Sequence, residues 1–174
     1  MNYNKVFILM LASCFIFIAS IRPYDLNFDT GVYYSIAKDF INGINYVDYM
    51  HSIEPSYWLI SIFAKYIDII LNIDPIRIVF FIYALLGVGL SIYAMLNFSS
   101  FPILSFFIYL PMYLSFEFTA IRNAVGLGIL LIALNDIKSQ KMFSYMVKVT
   151  IGFLFHYSLI IFYAFYFFVN IDKT

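Results

Sequence analysis

Apolar residues fill six stretches of this 174-residue chain, at about 5–22, 54–73, 76–96, 101–118, 120–136 and 142–169. Each approaches the roughly 20 residues an α-helix needs to cross a bilayer. The links between most of them are short, and neither an internal repeat nor a low-complexity tract interrupts them. The pattern predicts an all-α, multi-pass bundle over residues 1–174, without a separate soluble domain. Pro55, Pro75 and Pro102 stand at predicted helix starts, where a missing N–H costs nothing. Pro111 falls inside the fourth stretch and predicts a kink. The sixth is long enough to tilt or to run past the interface.

Residues 23–53 break the pattern. Tyr24, Tyr33, Tyr34, Tyr46 and Tyr49 are mixed there with Asp25, Asp29, Asp39 and Asp48. Asp29 is the predicted N-cap of a helix that ends near Asn42-Gly43. Tyr33, Ile36, Ala37, Phe40 and Ile41 share one face of that helix, with Lys38 and Asp39 largely opposite. Such a helix suits the membrane interface and would lid a site over the bundle.

At the N-terminus, Lys5 precedes an apolar run, and Leu11-Ala12-Ser13-Cys14 fits a lipoprotein cleavage box. Phe15–Ile21 continues apolar beyond the cysteine, so the run reads as an uncleaved first helix. Lys and Arg divide almost evenly between the two sides, which leaves the orientation open.

Composition agrees with a membrane protein: 64% hydrophobic, 11% charged and a mean hydropathy of +0.91, against about 25% charged in soluble domains. The net charge of zero, with no basic block, argues against nucleic acid as a partner. One cysteine excludes an internal disulfide framework and a Cys-rich metal site. The 16 tyrosines suit membrane interfaces and also the C–H faces of sugars.

The few polar residues inside apolar stretches carry the chemistry. Arg122 costs about 2.5–3.5 kcal/mol near a bilayer centre unless something compensates it. It snorkels, pairs with Glu117, or holds an anion such as phosphate. Glu54, Trp58, Ser61, Lys65, Asp68 and Asn72 recur at steps of four and three, on one helix face. Lys65 and Asp68 read as a mutual pair. Glu54 is either a helix-start carboxylate favoured by the dipole or a base at a cavity mouth. Ala120, Ala124 and Gly128, with Gly126 beside them, predict a close helix contact. Lys148, Gly152, His156 and Tyr163 share a face of the sixth stretch, and His156 either bonds a neighbouring helix or moves protons. His51 and His156 lack metal-binding spacing, so no metal is expected. There is no phosphate-cradling glycine loop, nucleophile elbow or zinc-protease motif. Asn97-Phe98-Ser99 matches a glycosylation sequon but sits in a very short turn.

In order along the chain, these residues resemble the EpsG family of polysaccharide-biosynthesis proteins, relatives of the Wzy O-antigen and capsule polymerases. Arg22 followed by Asp29 and Tyr33 is similar to that family's Arg…Asp-x-x-x-Tyr entry. Glu54-Pro55 with Tyr57 and Leu59 resembles its Glu-Pro helix start. Ala120-Ile121-Arg122-Asn123-Ala124-Val125-Gly126 resembles its Arg-Gln-x-Ile-Ala segment, with Asn123 for the commoner glutamine and Gly126 for alanine. Phe155-His156-Tyr157-Ser158 resembles its Phe-His-x-Ser element, after a basic turn at Lys138 and Lys141. Family members generally run to about twice this length, so the chain, ending Asp172-Lys173-Thr174, reads as a truncated or split gene, the N-terminal half of a longer member, or a half-length variant.

The resemblance implies an enzyme of the bacterial cytoplasmic membrane that joins undecaprenyl-pyrophosphate-linked oligosaccharide repeats without a cofactor. It implies Arg22 and Arg122 on the pyrophosphate, and Glu54, then Asp29 or His156, as the base. Tyr33, Tyr46 and Trp58 would platform sugars, and other polysaccharide-assembly membrane proteins are implied as partners. Two other readings stay open: a lipid-linked glycan transporter or flippase, and a non-catalytic subunit of an assembly complex.

Overall fold

A computed structural model describes residues 3–170, so the Asp172-Lys173-Thr174 ending lies outside the described residues. The helices are α1 (Tyr3–Ile21), α2 (Phe28–Ile41), α3 (Pro55–Leu71), α4 (Pro75–Phe98), α5 (Pro102–Phe116), α6 (Ile121–Lys138), α7 (Met142–Phe155) and α8 (Phe162–Asn170). Short 3₁₀ turns cover Tyr46–Asp48 and Tyr157–Ile161. Among the described residues there is no strand, as the apolar pattern predicts.

Prolines open three helices as expected. Pro55, Pro75 and Pro102 each sit in the first helical positions of α3, α4 and α5. Asn72 closes α3 in the left-handed conformation, φ 52°, and Gly43 follows the Asn42 cap of α2 at φ 97°. The start of α2 corrects the sequence reading. Asn27, not Asp29, is the N-cap; its side chain accepts from the Thr30 N–H at 2.8 Å. Asp29 sits in the first turn, exposed.

The sixth stretch is a second correction. It does not run as one tilted helix but breaks at His156, whose backbone is extended (φ −155°, ψ 115°) between α7 and the 3₁₀ turn. The expected spans also shorten. Among the described residues only α4, with 24 residues, is long and apolar enough to cross a membrane by itself. Helices α3, α5 and α7 have 17, 15 and 14 residues, and α6 carries Arg122, Asp136 and Lys138 within its 18.

Helix α4 is the hub. It packs most extensively on α6 and α1, then on α3. Its contact with α6 is close because both helices are small there. A Cβ on Gly128 would stand 2.9 Å from Leu90 Cβ and 3.4 Å from the Gly87 carbonyl, and one on Gly87 would stand 3.0 Å from Ala124 Cβ. The small face at Ala124 and Gly128 therefore does what its spacing predicts. Large apolar side chains also stand outside: Phe17, Phe63, Ile70, Phe107, Phe143 and Phe168 are all exposed.

Candidate active site

Glu54 occupies the cap position of α3, yet its carboxylate caps no N–H of that helix. It turns inward, 3% exposed. Oε2 forms an ion pair with Arg122 Nη1, from the first turn of α6. Oε1 lies 3.0 Å from His156 Nδ1 and accepts the Tyr157 N–H at 3.2 Å. Three segments remote in sequence thus meet on one carboxylate. A buried charge demands such compensation, since an unpaired ion there costs several kcal/mol.

Each partner is held from behind. Arg122 Nε donates to the Tyr33 hydroxyl at 3.3 Å, and Nη1 also reaches the Ser52 carbonyl at 3.4 Å. The guanidinium lies 5.2 Å from the centre of the Tyr33 ring, a cation–π arrangement. The Tyr57 hydroxyl donates to the Tyr33 carbonyl at 2.9 Å, tying α3 to α2. His156 is placed by two glycines. A Cβ on Gly126 would meet Leu159 Cδ1 at 2.6 Å and one on Gly152 at 3.0 Å, so the 3₁₀ turn nests against α6 only because both are bare.

The connection between α2 and α3 closes over this cluster. The hydroxyls of Tyr46 and Tyr157 lie 2.8 Å apart, and both turn to the Ile53 carbonyl, at 3.1 and 3.2 Å. Burial first, then the Tyr157 hydroxyl, pushes the Tyr46 phenol above its ordinary pKa. The Trp58 ring stands 6.0 Å from that of Tyr46. Beside the cluster, an apolar groove of about 290 Å³ is lined by Leu86, Leu90, Val125, Ile129 and Phe155, the residue before His156.

Of the residues singled out from the sequence, Glu54, Arg122, His156 and Tyr33 converge, with Tyr46 and Trp58 at the edge. Asp29 stays outside, exposed. Arg22 is buried elsewhere: its Nη1 donates to the Glu117 carbonyl and its guanidinium lies 4.3 Å over the Phe80 ring. Arg122 therefore pairs with Glu54 and not with Glu117, whose carboxylate packs against Gly87. Lys65 and Asp68 form no ion pair; among the described residues the ion pairs are Glu54 with Arg122 and Asp136 with Lys148, and His156 Nδ1 is a hydrogen-bond partner of Glu54. Tyr157, Tyr57 and Ser52 had no role assigned from the sequence, although Tyr57 and Tyr157 stand in two of the family-like motifs. Tyr57 lies in the Glu54-Pro55-Ser56-Tyr57 run and Tyr157 beside His156, so proximity to those motifs was their only signal.

The EpsG family model matches residues 5–174, nearly the whole chain. The chain belongs to the EpsG family. This places it among membrane-associated proteins of polysaccharide biosynthesis, a family related to Wzy-like polysaccharide polymerases. Neither a curated protein nor a solved structure matches it. The EpsG resemblance of the four sequence motifs now has a structural counterpart: two of them, Glu54-Pro55 and Phe155-His156, meet a third at Arg122.

Proposed function

We propose that this EpsG protein is a polysaccharide polymerase, a glycosyltransferase that joins lipid-pyrophosphate-linked repeat units in a bacterial cytoplasmic membrane. The observation that carries this reading is the Glu54 carboxylate held between Arg122 and His156. In the proposed reaction, a sugar hydroxyl of one lipid-linked repeat attacks the anomeric carbon of a glycan on undecaprenyl pyrophosphate. The new C–O bond forms as the bond to the pyrophosphate breaks, and the hydroxyl proton leaves to a base.

The geometry favours His156 over Glu54 as that base. A carboxylate already committed to a guanidinium, an imidazole and a backbone N–H has little capacity left for a substrate proton. It does orient His156: accepting from Nδ1–H leaves Nε2 unprotonated and basic, the arrangement a general base needs. Arg122 uses Nε and Nη1 on the protein, so its remaining donors are the ones to meet a leaving pyrophosphate. Tyr33, buried beneath the guanidinium, supports Arg122, whereas half-exposed Tyr46 and Trp58 suit a sugar face. The groove beside Phe155 suits a hydrocarbon tail, and the apolar exterior suits a multi-pass setting in lipid.

The test is the length distribution of surface polysaccharide in a deletion strain complemented with this chain. Long polymer with wild type, and single repeats with Arg122→Ala and His156→Ala at equal membrane abundance, is the expected result. Long polymer with both variants would sink the proposal. The break at His156 favours one second reading, a lipid-linked glycan transporter, because unwound helices line transport sites. A transporter would leave lipid-linked repeats on the wrong face of the membrane when it is lost, whereas a polymerase would leave them translocated but unextended.

A further inference from the structure

Three donors from one short segment converge on two adjacent carbonyls. Arg22 Nη1 donates to the Glu117 carbonyl. Asn27 Nδ2 donates to the Phe118 carbonyl at 2.9 Å, and Thr30 Oγ1 donates to the same oxygen at 3.2 Å. These carbonyls belong to the turn between α5 and α6, directly before the first turn of α6 that carries Arg122. The donors are themselves fixed. Arg22 is 3% exposed and Thr30 fully buried. Asn27 also caps α2. Arg77 of α4 donates to the Arg22 carbonyl at 2.5 Å and stacks over the Tyr24 ring at 4.0 Å, while the Tyr24 hydroxyl bonds Asp74 at the start of α4.

We propose that residues 22–30 form a clamp that positions Arg122, and that Arg22, Asn27 and Thr30 are positioning residues for the reaction assigned to that arginine. The proposal rests on the reading of Arg122 as the group that meets the leaving anion. Helix α6 begins at Ile121 without a side-chain cap, so locally only backbone hydrogen bonds, such as the Ala120 N–H to the Phe116 carbonyl at 3.0 Å, hold its start. The carbonyls just upstream are held instead by donors anchored to the hub helix through Arg77. The same segment leads into α2, which supplies Tyr33 to the other side of the guanidinium. Backbone behind Arg122 and aromatic ring beneath it are thus set by one continuous piece of chain. Displacing a charge-stabilising group by about 1 Å costs on the order of 100-fold in rate, so such a clamp has catalytic weight without touching substrate. It also gives buried Arg22 a role that does not require ligand access.

The experiment separates clamp from cap. Asn27→Asp keeps the side-chain oxygen that accepts from Thr30 N–H but loses the donor to Phe118, and Thr30→Val removes the second donor at nearly constant shape. The N27D/T30V double variant and Thr30→Ser, which keeps its donor, are expressed in the deletion strain, and the purified 174-residue chains are compared by hydrogen exchange in lipid nanodiscs. The expected result for N27D/T30V at wild-type abundance is roughly tenfold or greater loss of long polymer, with exchange accelerated at residues 117–124 and unchanged along the rest of α6. Thr30→Ser should behave as wild type. Wild-type polymer from N27D/T30V would overturn the proposal. So would polymer loss with unchanged exchange at 117–124, which would mean contact with substrate, or acceleration across the whole bundle, which would mean a general folding role. If Arg122→Ala itself keeps long polymer, the functional reading fails while the exchange data still decide whether the clamp exists.

Discussion

Glu54 and His156, 102 positions apart, meet through Oε1 and Nδ1 at 3.0 Å. That contact fixes which imidazole nitrogen is left to face a substrate. His156→Asn retains an amide N–H near the Nδ1 position but has no Nε2 base. Polymerisation should fall by roughly 10²- to 10⁴-fold, the usual worth of a general base, with the chain still folded. Glu54→Gln should fall at least as far, because it strips the countercharge from Arg122 as well. Asp29→Asn, on an exposed first-turn residue outside the cluster, should stay near wild type. Polymer length and membrane abundance of the three variants check the ordering.

Gly126 and Gly128 lie two residues apart on α6 but face different neighbours. Gly128→Ala would press on Leu90 Cβ and the Gly87 carbonyl of α4, so it should destabilise the bundle by about 1–3 kcal/mol. Gly126→Ala presses on Leu159 Cδ1 and reaches His156 Cβ at 3.4 Å. The flexible Leu159 end can yield, so Gly126→Ala should cost less stability and more activity. Thermal unfolding in detergent beside the polymer assay separates the two.

Asp136 and Lys148 pair between α6 and α7, with Ser144 3.0 Å from the Lys148 ammonium. Asp136 is buried and Lys148 partly exposed. Lys148→Met should therefore cost more than the ~1 kcal/mol of a surface pair and less than the ~3–5 kcal/mol of a buried one. Lys148 also lines the apolar groove beside Phe155, so polymer made per folded molecule should shift as well, whereas it should stay unchanged for Asp136→Asn, which leaves that lining intact.

The Tyr46–Tyr157 contact holds the connection between α2 and α3 closed. Tyr46→Phe should speed hydrogen exchange over residues 45–53 and leave the rest of the protein unaffected. The Tyr46 phenol is raised in the folded state, so its contribution is fully present below the ordinary tyrosine pKa of about 10 and is lost as pH rises beyond it. Protection of this connection should be flat from about pH 6 to 9 and fall only in stronger alkali.

Much of this was legible from residue order alone. Five of the six apolar stretches each coincide with one helix, the prolines mark where three of them start, and the small residues of α6 name the face that meets α4. These are local properties: periodicity, a missing N–H, the size of a side chain. The family motifs also marked Glu54, Arg122 and His156 before any geometry was known. What the sequence could not supply was their arrangement. The run 142–169 holds no proline, its one glycine lies inside α7, and nothing local breaks the helix at His156. The break is held by the Tyr157 N–H on Glu54 and by Leu159 against Gly126, both contacts with remote segments. Likewise, either arginine was free to pair with either of Glu54 and Glu117 by spacing. Only the packing of α3, α6 and α7 around one buried carboxylate decided that Arg122 joins Glu54, because a charge removed from water is assigned its partners by whatever the tertiary fold brings within reach.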